Sequence, residues 1–147
     1  MKTMRKDSQV IEVMEDIWAL THALEARSKW MMRTYDVSGP QLLLIRIVGV
    51  NSGCSPSQAA RHLRLHAGTV TRLVAGLERA GVMRRSAHDR DGRKVRLTLT
   101  RRGRRLARLS VGTVHRAVGR TLAGAGHGEV ACAKSFMRRL AAELMPA

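Results

Sequence analysis

The sequence predicts a mainly α fold with a small β-hairpin: a winged helix-turn-helix with further helices at both ends. Three observations carry that expectation. Aromatic residues make up only 3% of the 147 residues, so a core must be assembled from Leu, Val, Ile, Ala and Met, which suits helix-on-helix packing. Apolar side chains recur at intervals of three and four along most of the chain. The exception is Val82 to Leu99, where two β-prone runs flank a charged loop containing glycine.

Taken in order, Ser8 to Thr34 reads as one long amphipathic helix, with Val10, Val13, Met14, Ile17, Leu20, Leu24 and Met31 in register and Ile11 and Trp18 beside them. Its apolar flank is wider than a small core needs, which points to a second subunit. Ser38-Gly39-Pro40-Gln41 is a capping box with proline in the first turn, and starts a helix to about Val50 with Leu42, Ile45 and Val48 or Gly49 inward. Ser55-Pro56-Ser57-Gln58 repeats the signal for a helix to Leu63 that buries Ala59, Ala60 and Leu63. After a connection through Leu65 to Gly68, a helix from Thr69 to Ala80 places Val70, Leu73, Val74 and Leu77 inward and Thr69, Thr71, Arg72, Gly76 and Arg79 outward, stopping at Gly81.

The strands are Val82 to Ser86 and Lys94 to Leu99, joined by residues 87–93 with an Asp-Gly turn at Asp91-Gly92. Thr100 caps a helix expected to run unbroken to Leu122 through Leu106, Leu109, Val114 and Val118. A final helix spans Glu129 to Met145.

Charge narrows the function. The formal net charge is +16, beyond what solubility requires, and it favours a polyanion whose condensed counterions are released on binding. Residues 1 to 34 carry six Lys/Arg and five Asp/Glu, whereas residues 55 to 105 carry fourteen against three. The basic excess thus coincides with the helix-turn-helix and hairpin. In such a unit the second helix enters the major groove while the first crosses the backbone. Thr69, Thr71 and Arg72, with His66 at the turn, are therefore the candidate base readers, and Ser57, Gln58, Arg61 and Arg64 the candidate phosphate contacts. The run Arg101, Arg102, Arg104 and Arg105 is a solvated face or a further source of phosphate contacts.

Other classes find little support. No glycine-rich phosphate loop, no nucleophile beside a base and no metal-ligand spacing occurs, so neither an enzyme nor a cofactor or metal is expected. Cys54 and Cys132 are far apart and read as free thiols in a reducing compartment. With no apolar stretch of membrane-spanning length and no leader-like segment, a cytoplasmic chain is expected.

Five segments, Val37-Ser-Gly-Pro-Gln41, Leu65-His-Ala-Gly-Thr-Val-Thr-Arg-Leu-Val74, Leu77-Glu-Arg-Ala-Gly81, Asp91-Gly-Arg93 and Leu99-Thr-Arg-Arg-Gly103, keep the order and spacing of one family. The chain resembles the MarR family of bacterial transcription regulators. That resemblance implies a homodimeric, double-stranded-DNA-binding regulator, a repressor of a pseudo-palindromic operator relieved by a small aromatic or phenolic effector. It divides the chain into an N-terminal dimerisation helix at 1–36, a DNA-binding domain at 37–100 and C-terminal dimerisation helices at 101–147. It makes Arg93 the wing arginine for the minor groove, with Arg90 beside it and Asp91 orienting the guanidinium. An effector would find a tryptophan and a cation among Trp18, His22, Trp30 and Arg46, whose other reading is core or interface packing. A non-specific architectural or RNA-binding protein is the alternative, although four aromatic residues leave little for base stacking.

Overall fold

The computed structural model describes the backbone of residues 2–88 and 91–145, and the side chains of residues 6–87 and 94–145. Among these the order is α1 (Lys2–Tyr35), α2 (Gly39–Val50), α3 (Pro56–Leu63), α4 (Ala67–Arg79), β1 (Met83–His88), β2 (Asp91–Leu99), α5 (Arg101–Ala107), α6 (Val114–Ala123) and α7 (His127–Leu144). The chain forms two compact units, residues 1–114 and 115–147.

The first unit is built around α2. Both expected capping boxes form: Ser38 Oγ accepts from Gln41 N–H while Gln41 Oε1 accepts from Ser38 N–H, and Ser55 and Gln58 do the same at α3. From α2, Leu42, Leu44, Ile45 and Val48 are all buried, one residue more than a single stripe provides, because α1, α3, α4, α5 and β2 all pack against it. Val70, Val74, Leu77, Val82, Met83 and Leu97 complete the core with Met31 and Val37. Burying each such side chain stabilises the fold by about 1.5–3 kcal/mol. Ala59 and Ala60 let α3 lie close to α4.

β1 and β2 pair antiparallel from Met83↔Leu99 to Ala87↔Val95, and then His88 opposes Asp91 across a register shift. The strands are therefore longer than expected, and Asp91-Gly92 lies in β2 rather than forming a turn. On the other edge of β2, Leu97 N–H donates to Cys54 O at 2.8 Å and Leu97 O accepts from Gly53 N–H at 2.9 Å. Thr100 locks the hairpin to α5: its hydroxyl donates to Gly81 O at 2.7 Å and accepts from Gly103 N–H at 3.1 Å. Gly103 is buried, and a Cβ there would lie 2.1 Å from Val82 O.

Two helix boundaries differ from expectation. α4 starts at Ala67, two residues early, with His66 as its N-cap. The single helix expected from Thr100 to Leu122 is two helices, α5 and α6, separated by residues 108–113. The carbonyls freed by that break are taken up from α1 and α2: Arg46 donates to Leu109 O, Tyr35 Oη to Val111 O at 2.8 Å and Arg27 to Gly112 O at 3.4 Å. Gly112 adopts φ +67°, and a Cβ there would meet the Trp30 ring at 2.3 Å. Tertiary partners thus replace the helical ladder.

In the second unit α6 and α7 bury no described side chain, and Val118, Leu122, Phe136, Met137 and Leu144 are exposed. The outer part of α1 behaves alike, with Val10, Ile11, Met14, Trp18, Leu20 and Leu24 exposed.

Candidate nucleic-acid interface

The capping box leaves Gln58 with its Nε2 as the remaining donor, since Oε1 is held by Ser55 N–H at 2.8 Å. Ser57, Gln58 and Arg61 are all exposed on α3. Facing them, β2 contributes Lys94, Val95 and Arg96 to an open cleft of about 690 Å³ that also includes Gly53, Ser55 and Pro56. Three cations, Arg61, Lys94 and Arg96, line it, and no carboxylate does among the described residues. Such a cleft suits a phosphate, with hydroxyl and amide donors beside the charges. Lys94 and Arg96 were legible only as the polar alternation of a strand; pairing with α3 depends on the tertiary fold.

Arg64 closes α3 in the left-handed conformation at φ +54°. Its N–H and that of Leu65 turn back to Arg61 O and Ala60 O, which makes the tight turn into α4. A non-glycine residue there costs roughly 1 kcal/mol.

At the start of α4, His66 O accepts from Thr69 and Val70 N–H at 3.0 and 3.2 Å, and the His66 side chain makes no capping bond. His66, Thr71 and Arg72 are exposed and Thr69 is half-buried. The structure thus brings all four candidate readers to the first turns of one helix. Gly76, expected on the outward face, instead meets α2, since a Cβ there would lie 3.6 Å from Gln41 Nε2. Glu78 ties α4 to the hairpin: its carboxylate pairs with Arg85 at 2.9 Å and accepts from Arg85 N–H at 3.2 Å. At this exposure the ion pair contributes at most about 1 kcal/mol, and its effect is mainly to orient the hairpin.

For the wing, Asp91 and Arg93 lie within β2, while their side chains, and Arg90 altogether, fall outside the described residues. Within the arginine run, Arg102 donates to Ala80 O at 2.8 Å and sits 3.5 Å from Asp36. Arg104 donates to Leu99 O at 2.8 Å. Those two hold α5 in place, whereas Arg101 and Arg105 are exposed and carry no partner among the described residues.

The four residues weighed for an effector separate within one chain. Trp30 packs edge-on to Tyr35, with ring centroids 5.6 Å apart, beneath the Arg27 guanidinium. Arg46 is bound to Leu109 O with its Nε buried and unpartnered, and burial pushes its pKa below the ordinary arginine value. Trp18 and His22 are exposed on α1, and Trp18 lies about 18 Å along the helix from Trp30 at 1.5 Å per residue. Cys54 is buried, which pushes its thiol pKa up, so it stays protonated and unreactive near neutrality. Among the described residues no cluster of metal-ligating side chains occurs, and no helix is long and apolar enough to cross a membrane.

Comparison with known proteins agrees with this geometry. Residues 37–95 match the model of the MarR family. The HTH-type transcriptional regulator TtmR of Methylorubrum extorquens is 30% identical over 90 residues, covering 61% of this chain and 46% of that protein. The HTH-type transcriptional repressor Rv2887 of Mycobacterium tuberculosis is 33% identical over 84 residues, covering 57% of this chain and 60% of that one. The matched segment therefore spans about half the length of these relatives. Among solved structures, Streptococcus pneumoniae FabT, crystallised in complex with DNA, superposes with a TM-score of 0.66 at 26% identity over 93% of this chain and 96% of its own. Residues 37–95 thus resemble the MarR family, on a fold shared with FabT.

Proposed function

We propose that the chain is a sequence-specific DNA-binding transcriptional regulator. The observation that carries this is α3, which joins β2 in a cleft lined by Arg61, Lys94 and Arg96 and packs against α4, the helix bearing the candidate readers. In this reading α4 enters the major groove, with Thr69, Thr71, Arg72 and His66 at base edges. Ser57, Gln58, Arg61 and Arg64 take backbone phosphates, and the wing residues Arg93, Asp91 and Arg90 serve the minor groove. The DNA-bound state of FabT supports it.

The finer reading is a homodimeric repressor in the cytoplasm, and the name of the Mycobacterium relative supports repression. The apolar side chains left exposed on α1, α6 and α7 support dimerisation through residues 1–36 and 101–147, with residues 37–100 left to bind DNA. A dimer fits a pseudo-palindrome whose half-sites lie about one helical turn apart. Relief by a small aromatic or phenolic effector belongs to the same reading, with Trp30 and Arg46 beside the 109–112 turn as its nearest contacts and Trp18 and His22 further out. Such a ligand acts by favouring a dimer whose reading helices are misplaced.

Selection of bound sites from a random duplex pool, followed by titration of the selected and a scrambled fragment, tests the function. Equal affinity for both makes the chain a non-specific architectural or RNA-binding protein instead. Within that assay Arg93→Ala is expected to weaken binding to every duplex and reduce the salt slope by about 0.9, whereas Arg72→Ala changes the preferred sequence. A change of salt slope alone for Arg72→Ala would make it a phosphate contact. Arg64→Gly is expected to raise stability by roughly 1 kcal/mol through relief of the left-handed residue, while lowering affinity and salt slope. If its affinity is unchanged, Arg64 serves the turn alone.

A further inference from the structure

Thr71 stands on the exposed face of the first turns of α4. The Thr71 hydroxyl is turned back into the helix and donates to Ala67 O at 2.9 Å. A threonine whose Oγ1 is held by the preceding turn has its methyl as the remaining branch, and Thr71 is exposed. One turn earlier Ala67 is exposed as well, and residues four apart on a helix stand about 5–6 Å from each other. Beside them Gly68 has no side chain, and a Cβ built there meets nothing within 4 Å. Packing therefore does not require glycine at this position, and its φ is not positive. Glycine nevertheless costs a helix up to about 1 kcal/mol relative to alanine. Without a side chain, it leaves room for another molecule to approach the backbone closely.

We propose that α4 recognises thymine through two methyl groups, those of Ala67 and Thr71, with Gly68 beside them admitting the base edge. Thymine is the base that presents a methyl in the major groove. Nucleotides along one strand are spaced about 3.4 Å apart, so two methyls at this separation serve thymines one or two steps apart. With its hydroxyl hydrogen used inside the helix, Thr71 contributes a methyl contact rather than a donated hydrogen bond. The proposal rests on α4 being the major-groove helix, and adds the base it reads.

Deoxyuridine differs from thymidine by the C5 methyl alone. The test replaces each thymine of the selected half-site with deoxyuridine, one at a time, and titrates the wild-type chain, Thr71→Ser and Thr71→Val, with a thermal melt of each. Wild type is expected to lose about four-fold at one or two positions, the fold-change that corresponds to burying one methyl-sized group. Thr71→Val keeps the methyl and is expected to keep that loss. Thr71→Ser lacks the methyl and is expected to bind the thymine and uracil forms of one position equally. A full uracil penalty retained by a folded Thr71→Ser overturns the proposal, as does a selected half-site at which no uracil substitution matters. A pool that yields no preferred duplex overturns the reading function of α4 itself, a result distinct from either.

Discussion

Replacing Gly103 by alanine is expected to lower the thermal midpoint by about 10 °C or more. The added Cβ would sit 2.1 Å from Val82 O and 3.2 Å from Leu99 Cβ. Its closest neighbour is backbone, which cannot rotate away as a side-chain end can. Val82 O already accepts from Thr100 N–H at 3.1 Å, and the Thr100 hydroxyl bonds Gly81 O and Gly103 N–H around the same point. Relieving the clash therefore means pulling α5 off the hairpin and losing its cap together with the packing of Leu106 and Ala107 on the core. Overpacking of this kind costs about 1–3 kcal/mol, occasionally more, and each kcal/mol moves the midpoint by about 4 °C in a unit of this size, so a clash against backbone, at the top of that range, gives the expected shift. A circular-dichroism melt measures it. An unchanged midpoint would mean that α5 can swing aside freely and that the joint contributes little.

Gly68→Leu is expected to separate stability from binding in the other direction. A side chain at that position enters open space, so the fold should tolerate it. Helix propensity favours it by up to about 1 kcal/mol over glycine. Yet if the first turn of α4 enters the groove, an isobutyl group beside Ala67 and Thr71 keeps the helix from its base edges. Affinity for the selected site should then fall to that for random duplex, a drop of about 10³ or more on the usual margin between specific and non-specific binding. The charged cleft would still hold DNA loosely, so the salt dependence should persist. Melting and titration of the same preparation decide the matter. A Gly68→Leu chain that keeps full affinity would show that the first turn of α4 stays outside the groove.

Much of the fold was legible because its signals are local. Ser38 with Gln41 and Ser55 with Gln58 announce two helix starts by chemistry completed within four residues, and both boxes form as expected. The expected length of the helix after Thr100 failed for the opposite reason. Leu106, Leu109, Val114 and Val118 keep an apolar spacing that runs on through the break, while the groups that capture the freed carbonyls lie 63 to 85 residues away at Arg46, Tyr35 and Arg27. Gly112 was the one local hint. The start of α4 was misplaced because Gly68 disfavours a helix and His66 caps without a side-chain bond. For the site, the exposed face of α4 could be read from periodicity, whereas Lys94 and Arg96 join Arg61 only through the packing of β2 beside α3.

The way the 109–112 turn is held carries a consequence for how this protein can vary. Every acceptor in it that these side chains grip is a main-chain oxygen, present whatever residue occupies the position. Leu109 and Val111 can therefore drift in sequence without losing the hydrogen bonds they receive, so long as Gly112 keeps its place beneath Trp30. Arg27, Tyr35 and Arg46 have no such latitude, because the donors are the side chains themselves. Substitution should be tolerated on one side of this joint and penalised on the other, an asymmetry that a saturation-mutagenesis survey of the two segments would bring out.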